Sequence, residues 1–176
     1  MATKKTSMFT LTERISITAA GTPTFATIDL GSYVDVGDRQ ALQVHSVDFI
    51  WQGSTGASSV TLAMGGSAYA ICQVTDLNRG DLVFANDRAL VASGAINYDN
   101  DAFLTNETDL YPDNYGKGSD DGRFVVNDTL YITANSVLLL GTTPEVNVTV
   151  RVNASIVTLS SKDWMSIAIQ STAADN

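Results

Sequence analysis

One histidine, one cysteine and a run of carboxylates are the residues of this chain that chemistry could use. Any acid–base or nucleophilic triad would have to pass through His45. It lies inside the alternating apolar stretch Leu42–Gln52, and no G-x-S-x-G spacing marks a nucleophilic serine. A structural His45 is the expectation. Cys72 sits in A-Y-A-I-C-Q-V-T-D-L, without a neighbouring cation to stabilise a thiolate, and reads as a small buried hydrophobe. There is no H-E-x-x-H and no paired C-x-x-C, so zinc has no ligand set. Gly65-Gly66-Ser67 lacks the spacing and the lysine of a phosphate loop. These residues describe a protein that is not an enzyme.

The carboxylates collect between Gly94 and Gly122, where Asp99, Asp101, Glu107, Asp109, Asp113, Asp120 and Asp121 face a single cation, Lys117. Calcium takes about 6–8 oxygen ligands in irregular geometry. Asp99, Asp101, Asp113, Asp120 and Asp121 are the set that would suit it, although Asp113 is followed two places on by Tyr115, against the EF-hand order. A solvated acidic loop is the plainer reading, and no carboxylate pair is singled out for glycoside hydrolysis. Calcium aside, no cofactor is expected.

The elements that must position these residues are strands. Val146–Leu159 reads V-N-V-T-V-R-V-N-A-S-I-V-T-L, with valines on one parity and Asn, Thr, Arg and Ser on the other. That period of two, free of Gly and Pro, predicts a long strand with one dry and one wet face. Phe9–Ile17 alternates likewise. One weaker strand is expected over Phe25–Leu30 and Tyr33–Val36, interrupted at Gly31, with further strands at Val60–Met64, Leu82–Ala85, Ala89–Ala92, Phe124–Val126 and Leu130–Thr133 and an apolar piece at Val137–Leu140. In Leu42–Gln52 the apolar parity switches near His45-Ser46, as an extra residue in a bulge requires. Ser160 with Asp163 resembles an N-cap, and Trp164, Ile167 and Ala168 follow at helical spacing, favouring a short helix over a last strand. The division expected is a mobile polar arm over 1–7, one β-sandwich domain over 8–160 with a long acidic loop at 94–122, and a tail over 161–176.

Length and composition agree with one domain. Charged residues are only 16% of the chain, against about 25% in an average domain. Low charge suits a surface that meets other protein, because interface cores are depleted of charge. Net charge is −9, and no cationic cluster extends beyond Lys4-Lys5, which argues against a sequence-specific nucleic-acid reader. One cysteine allows no internal disulfide. Glu13 and Arg14 interrupt any apolar run near the start, and no stretch approaches the roughly 20 apolar residues of a membrane helix. A product made in the cytoplasm, without a secretory signal, is expected. Four N-x-[ST] sequons, at Asn106, Asn127, Asn147 and Asn153, carry little weight in so Thr-rich a chain.

The pattern is all-β: an antiparallel sandwich, jelly-roll-like, of about eight strands. Phe9–Ala20, Leu42–Gln52, Ala68–Leu77, Leu130–Leu140 and Val146–Leu159 together resemble a single jelly-roll viral capsid (coat) protein. The chain lacks the arginine-rich arm of RNA-virus coats and is closer to the acidic coats of tailless icosahedral viruses of bacteria or archaea. The resemblance implies a structural protein that self-assembles into a shell, located in the virion. Its partners would be copies of itself and other capsid proteins. Trp51, Tyr111, Trp164, Met165 and Ile167 would be its interface anchors, with K-D-W-M-S-I-A-I-Q clamping a neighbour. The competing expectation is a non-catalytic calcium- or carbohydrate-binding sandwich of lectin or adhesion type.

Overall fold

The computed structural model describes residues 2–54, 67–99, 104–111, 122–137 and 145–172; for 104–111 and 170–172 only the backbone is described. The strands are β1 (Thr3–Lys4), β2 (Phe9–Ile17), β3 (Thr24–Asp29), β4 (Gln40–Gln52), β5 (Ala68–Thr75), β6 (Leu90–Asp99), β7 (Leu104–Tyr111), β8 (Arg123–Val125), β9 (Thr129–Ser136) and β10 (Val146–Thr158). One helix, α1 (Ser161–Thr172), follows.

The valine-rich strand lies in the middle of its sheet. β10 pairs antiparallel with β2 on one side and β4 on the other, and β8 extends the sheet beyond β4. β1 pairs with the far end of β10, beyond β2. The second sheet runs β3–β9–β5–β6–β7, again antiparallel throughout. Along the chain β2, β4, β8 and β10 fall in the first sheet and β3, β5, β6 and β9 in the second. Only the β5–β6 hairpin pairs two consecutive strands of these eight. This is the double Greek key of a jelly roll, with β1 and β7 added at its margins.

Parity then decides the core. Val146, Val148, Val150, Val152, Ala154 and Ile156 are buried together with Ile15, Ile17, Leu42, Val44 and Val47 from the same sheet. Ile28, Ala70, Cys72, Val74, Ile96, Leu130 and Ile132 meet them from the other. The bulge expected in β4 is present: Ser46 faces Asn153 and Val44 faces Ala154, leaving His45 as the extra residue. Without that insertion Val44 and Val47 could not both point inward.

Three expectations change. The segment 94–122 is not a continuous loop: Gly94–Asp99 completes β6, and Leu104–Tyr111 pairs with it as β7. β7 is the last strand of its sheet among the described residues. Thr3–Lys4 of the expected arm is hydrogen-bonded into register with Val157 and Thr158, though exposed. Tyr33–Val36 is a turn rather than a strand, with Tyr33 stacked on Phe9 at a centroid distance of 5.3 Å. The strand expected at Val60–Met64 and most of Val137–Leu140 lie outside the described residues.

The two sheets approach closely over Gly94 of β6. A Cβ there would stand 2.7 Å from Cδ2 and 3.0 Å from Cγ of Phe49 on β4. Those ring atoms lie near the stem of the side chain and cannot swing away freely. Gly94→Ala is therefore expected to lower stability by about 1–3 kcal/mol through overpacking. Urea unfolding would measure it, and Phe49→Leu in the same chain should recover part of the loss. An unchanged midpoint for the single variant would show that the sheets yield at this point.

Candidate functional site

His45, the bulged residue, points its Nε2 at Ser155 Oγ, 2.9 Å away. Ser155 Oγ donates in turn to Gln43 Oε1 at 3.3 Å. Which of His45 and Ser155 donates is set by the imidazole tautomer. All three side chains are buried. The trio satisfies the polar atoms that a bulge would otherwise strand. Cys72 is fully enclosed, and burial pushes its thiol far above the ordinary cysteine value. It should resist iodoacetamide and disulfide reagents in the native protein and react once urea unfolds the chain. Labelling under native conditions at the rate of the unfolded chain would contradict this placement.

Of the five carboxylates considered for calcium, Asp99 ends β6, exposed, with Ser67 Oγ donating to its Oδ1 at 3.4 Å. Asp101, Asp113, Asp120 and Asp121 lie outside the described residues. Among the described residues no group of three or more His, Cys, Asp or Glu converges as a metal site.

Two of the sequon asparagines lie on β10 and are structural. Asn147 accepts from Ser16 Oγ (2.5 Å) and donates to the Gly53 carbonyl (3.0 Å) and Glu145 Oε1 (3.2 Å). Asn153 accepts from Thr10 Oγ1 (2.8 Å) and donates to Ser46 Oγ (3.0 Å) and Asp48 Oδ2 (3.2 Å). Each asparagine ties the central strand to both neighbours across the outer face of the first sheet.

The interface candidates separate by direction. Trp51 is only 9% exposed and belongs to the main core, so it is not a surface anchor; the parity switch at His45 turns it inward. Tyr111 ends β7, and its side chain is outside the described residues. Helix α1 begins as expected: Ser160 Oγ accepts from the Asp163 N–H at 3.1 Å and donates to Asp163 Oδ2 at 2.7 Å. That hydroxyl holds the Asp163 carboxyl below the usual value. The helix packs Trp164, Ile167 and Ala168 onto Ala41, Val126, Val157 and Leu159, a second small core. Met165 and Ile169, one turn apart, face the other way, each 59% exposed. Ile169 escaped the sequence reading, although its i+4 spacing from Met165 was the available signal.

The outer face of the second sheet carries further apolar groups. Phe25 of β3 and Tyr69 of β5 are exposed there, and Phe84 is 87% exposed. The segment around Phe84 is not the strand expected at Leu82–Ala85. Instead Gln73 clasps it, donating to the Val83 carbonyl at 2.9 Å and accepting from the Val83 N–H at 2.7 Å. A side-chain amide thus takes the place of a ladder rung and holds Phe84 at the surface.

At one end of the sandwich Asp76, just past β5, is 3% exposed. Its Oδ2 accepts from Arg123 of β8 at 3.0 Å, and Asn127 Nδ2 donates to its carbonyl at 2.6 Å. Arg123 also donates to the Arg88 carbonyl. Burial raises the Asp76 carboxyl above the usual 3.8, against the opposing pull of Arg123.

Topology, core and surface together define a jelly-roll β-sandwich. The sequence matches no protein family and no curated protein. Solved structures similar in arrangement include proteins of viruses. VP1 of Trichodysplasia spinulosa-associated polyomavirus, in complex with GM1 oligosaccharide, is 10% identical, with 89% of this chain and 98% of that one covered, at a TM-score of 0.44. VP1 of Merkel cell polyomavirus, in complex with GD1a oligosaccharide, is 8% identical over 90% and 98%, at 0.41. Desmodium yellow mottle tymovirus gives 9% over 89% and 93%, at 0.32.

Proposed function

We propose that this chain is the coat subunit of a virus and that its principal ligand is another copy of itself. The observation that carries the reading is a jelly-roll body that keeps Met165, Ile169 and Phe84 outside both of its cores. Large apolar groups held rigidly in water favour association, and here they stand on a well-capped helix and on a clasped segment. The acidic balance of −9 supports a shell that does not grip nucleic acid directly, as in tailless icosahedral viruses of bacteria or archaea. Such a subunit would be made in the host cytoplasm, end in the virion and meet other capsid proteins there. The burial of His45 and Ser155 away from any substrate supports a non-enzymatic role.

Light scattering after size exclusion, with negative-stain imaging, tests this over protein concentration, ionic strength and added calcium. Regular closed particles are expected. A chain that stays monomeric in every condition refutes the proposal. Monomers whose thermal midpoint rises with calcium or an oligosaccharide would instead identify a lectin-type binding module.

A further inference from the structure

β2 is an edge strand: β10 pairs with one side of it, and among the described residues no strand pairs with the other. The opposite edge of the same sheet, β8, has only three residues. β2 has nine, without Gly or Pro, and so offers a long row of unpaired N–H and C=O groups to which another chain could add. Addition is most favourable where it also continues an apolar face. β2 has such a face, with Phe9 and Leu11 half-buried and Ile15 and Ile17 buried on the parity that meets the core.

Glu13 stands in that apolar row, between Leu11 and Ile15. Its partner in register is Val150 of β10, which is fully buried. Glu13 itself is half-buried, and among the described residues no hydrogen bond or ion pair holds its carboxylate. The carboxylate is therefore solvated across the open edge. Register shows what that does to a second copy. Two β2 strands that meet antiparallel extend the dry face only with odd-numbered residues opposite odd-numbered ones. A slip of one residue sets Thr10, Thr12 and Arg14 beside the apolar row instead. Every register that keeps the face dry thus lays both glutamates on it. In the register of greatest overlap Glu13 stands opposite itself, being the middle residue of the nine. Like charges directly opposed destabilise a strand pair, and covering the edge strips both of water.

We propose that Glu13 bars the β2 edge to other copies and so selects which surface of this chain meets them. The inference deepens the coat-subunit reading, which rests on α1 and the Phe84 segment, but it is tested on the edge itself. Hydrogen–deuterium exchange of Phe9–Ile17, followed by mass spectrometry on the full-length protein over a range of concentration, is the measurement. In the wild type this exchange should be independent of concentration, whether or not particles form. Glu13→Val completes the apolar row opposite Val150, so its urea midpoint should not fall. Exchange over β2 should nevertheless slow about tenfold or more as its concentration rises, as the edge becomes paired. Glu13→Gln, which keeps the shape and loses the charge, should slow in the same sense by a smaller factor, and decides the matter if valine disturbs the fold. Glu13→Lys keeps a charge there and should behave as the wild type. It lowers the net negative charge further than valine does, so a general loss of repulsion between copies would make it associate more. Concentration-independent exchange in both uncharged variants, equal slowing in Glu13→Lys, or wild-type particles in which β2 is protected overturns the proposal. A wild-type chain that stays monomeric defeats the coat reading alone, and the variants still decide the role of Glu13.

Discussion

Replacing Met165 and Ile169 together by aspartate is expected to abolish particle formation and leave a folded monomer. Both side chains are mostly in water in the single chain, so neither core loses a contact when they change. The fold should lose little beyond the lower helix propensity of aspartate, roughly 0.5 kcal/mol per site. The contact between copies loses far more. Burying one such side chain contributes roughly 1.5–3 kcal/mol, so two removed from one contact weaken it on the order of a hundredfold to ten-thousandfold. Two carboxylates carried into an apolar contact without partners oppose association further. Ser166→Asp, at another exposed position of α1, is the control that adds charge without removing apolar surface. Circular dichroism and thermal melting check the fold; light scattering and imaging check assembly. If the double variant still forms particles at the wild-type concentration, α1 is not the contact, and Phe25, Tyr69 and Phe84 become the surface to alter.

That test turns on a distinction the sequence shows only in part. The alternation of Val146–Leu159 gives away the central strand, its dry face and its need for two long neighbours. The parity switch at His45 locates the bulge, and Ser160 with Asp163 marks the start of α1. Each of these signals is local, set by side-chain period or by a cap. What was missed depends on neighbours in space. β7 looked like an acidic loop because charged residues are common in loops and also at the edge of a sheet, where no further strand competes. Trp51 looked like an interface anchor because it is large and aromatic, yet the same bulge that was read correctly carries it inward. Phe84 becomes a surface feature only because Gln73, ten residues earlier, clasps Val83. The convergence of Asp76 with Arg123 joins two distant parts of the chain and has no signature in either of them.

Removing the guanidinium from that convergence should make stability depend on pH through Asp76. Arg123→Leu leaves the Asp76 carboxylate buried with Oδ1 already unpartnered and Oδ2 newly so. Breaking a buried pair in this way destabilises by about 3–5 kcal/mol, and the partial exposure of Arg123 places the expectation at the lower end. The sign of the pH effect follows from linkage. Burial already sets the native Asp76 carboxyl above its ordinary value of 3.8, and loss of Arg123 raises it further. A carboxyl raised on folding binds its proton more tightly in the native state. Its contribution to stability is complete below 3.8 and is lost as pH climbs through the raised native value. The variant should therefore trail the wild type most at neutral pH and draw level with it toward pH 3.8. Asp76→Asn combined with Arg123→Leu has no carboxylate to strand, so the pH dependence of the difference should vanish. Urea unfolding of the three variants against wild type across this range measures it. A deficit for Arg123→Leu that is the same in acid and at neutrality would mean that Arg123 acts through packing and its bond to the Arg88 carbonyl, not through charge.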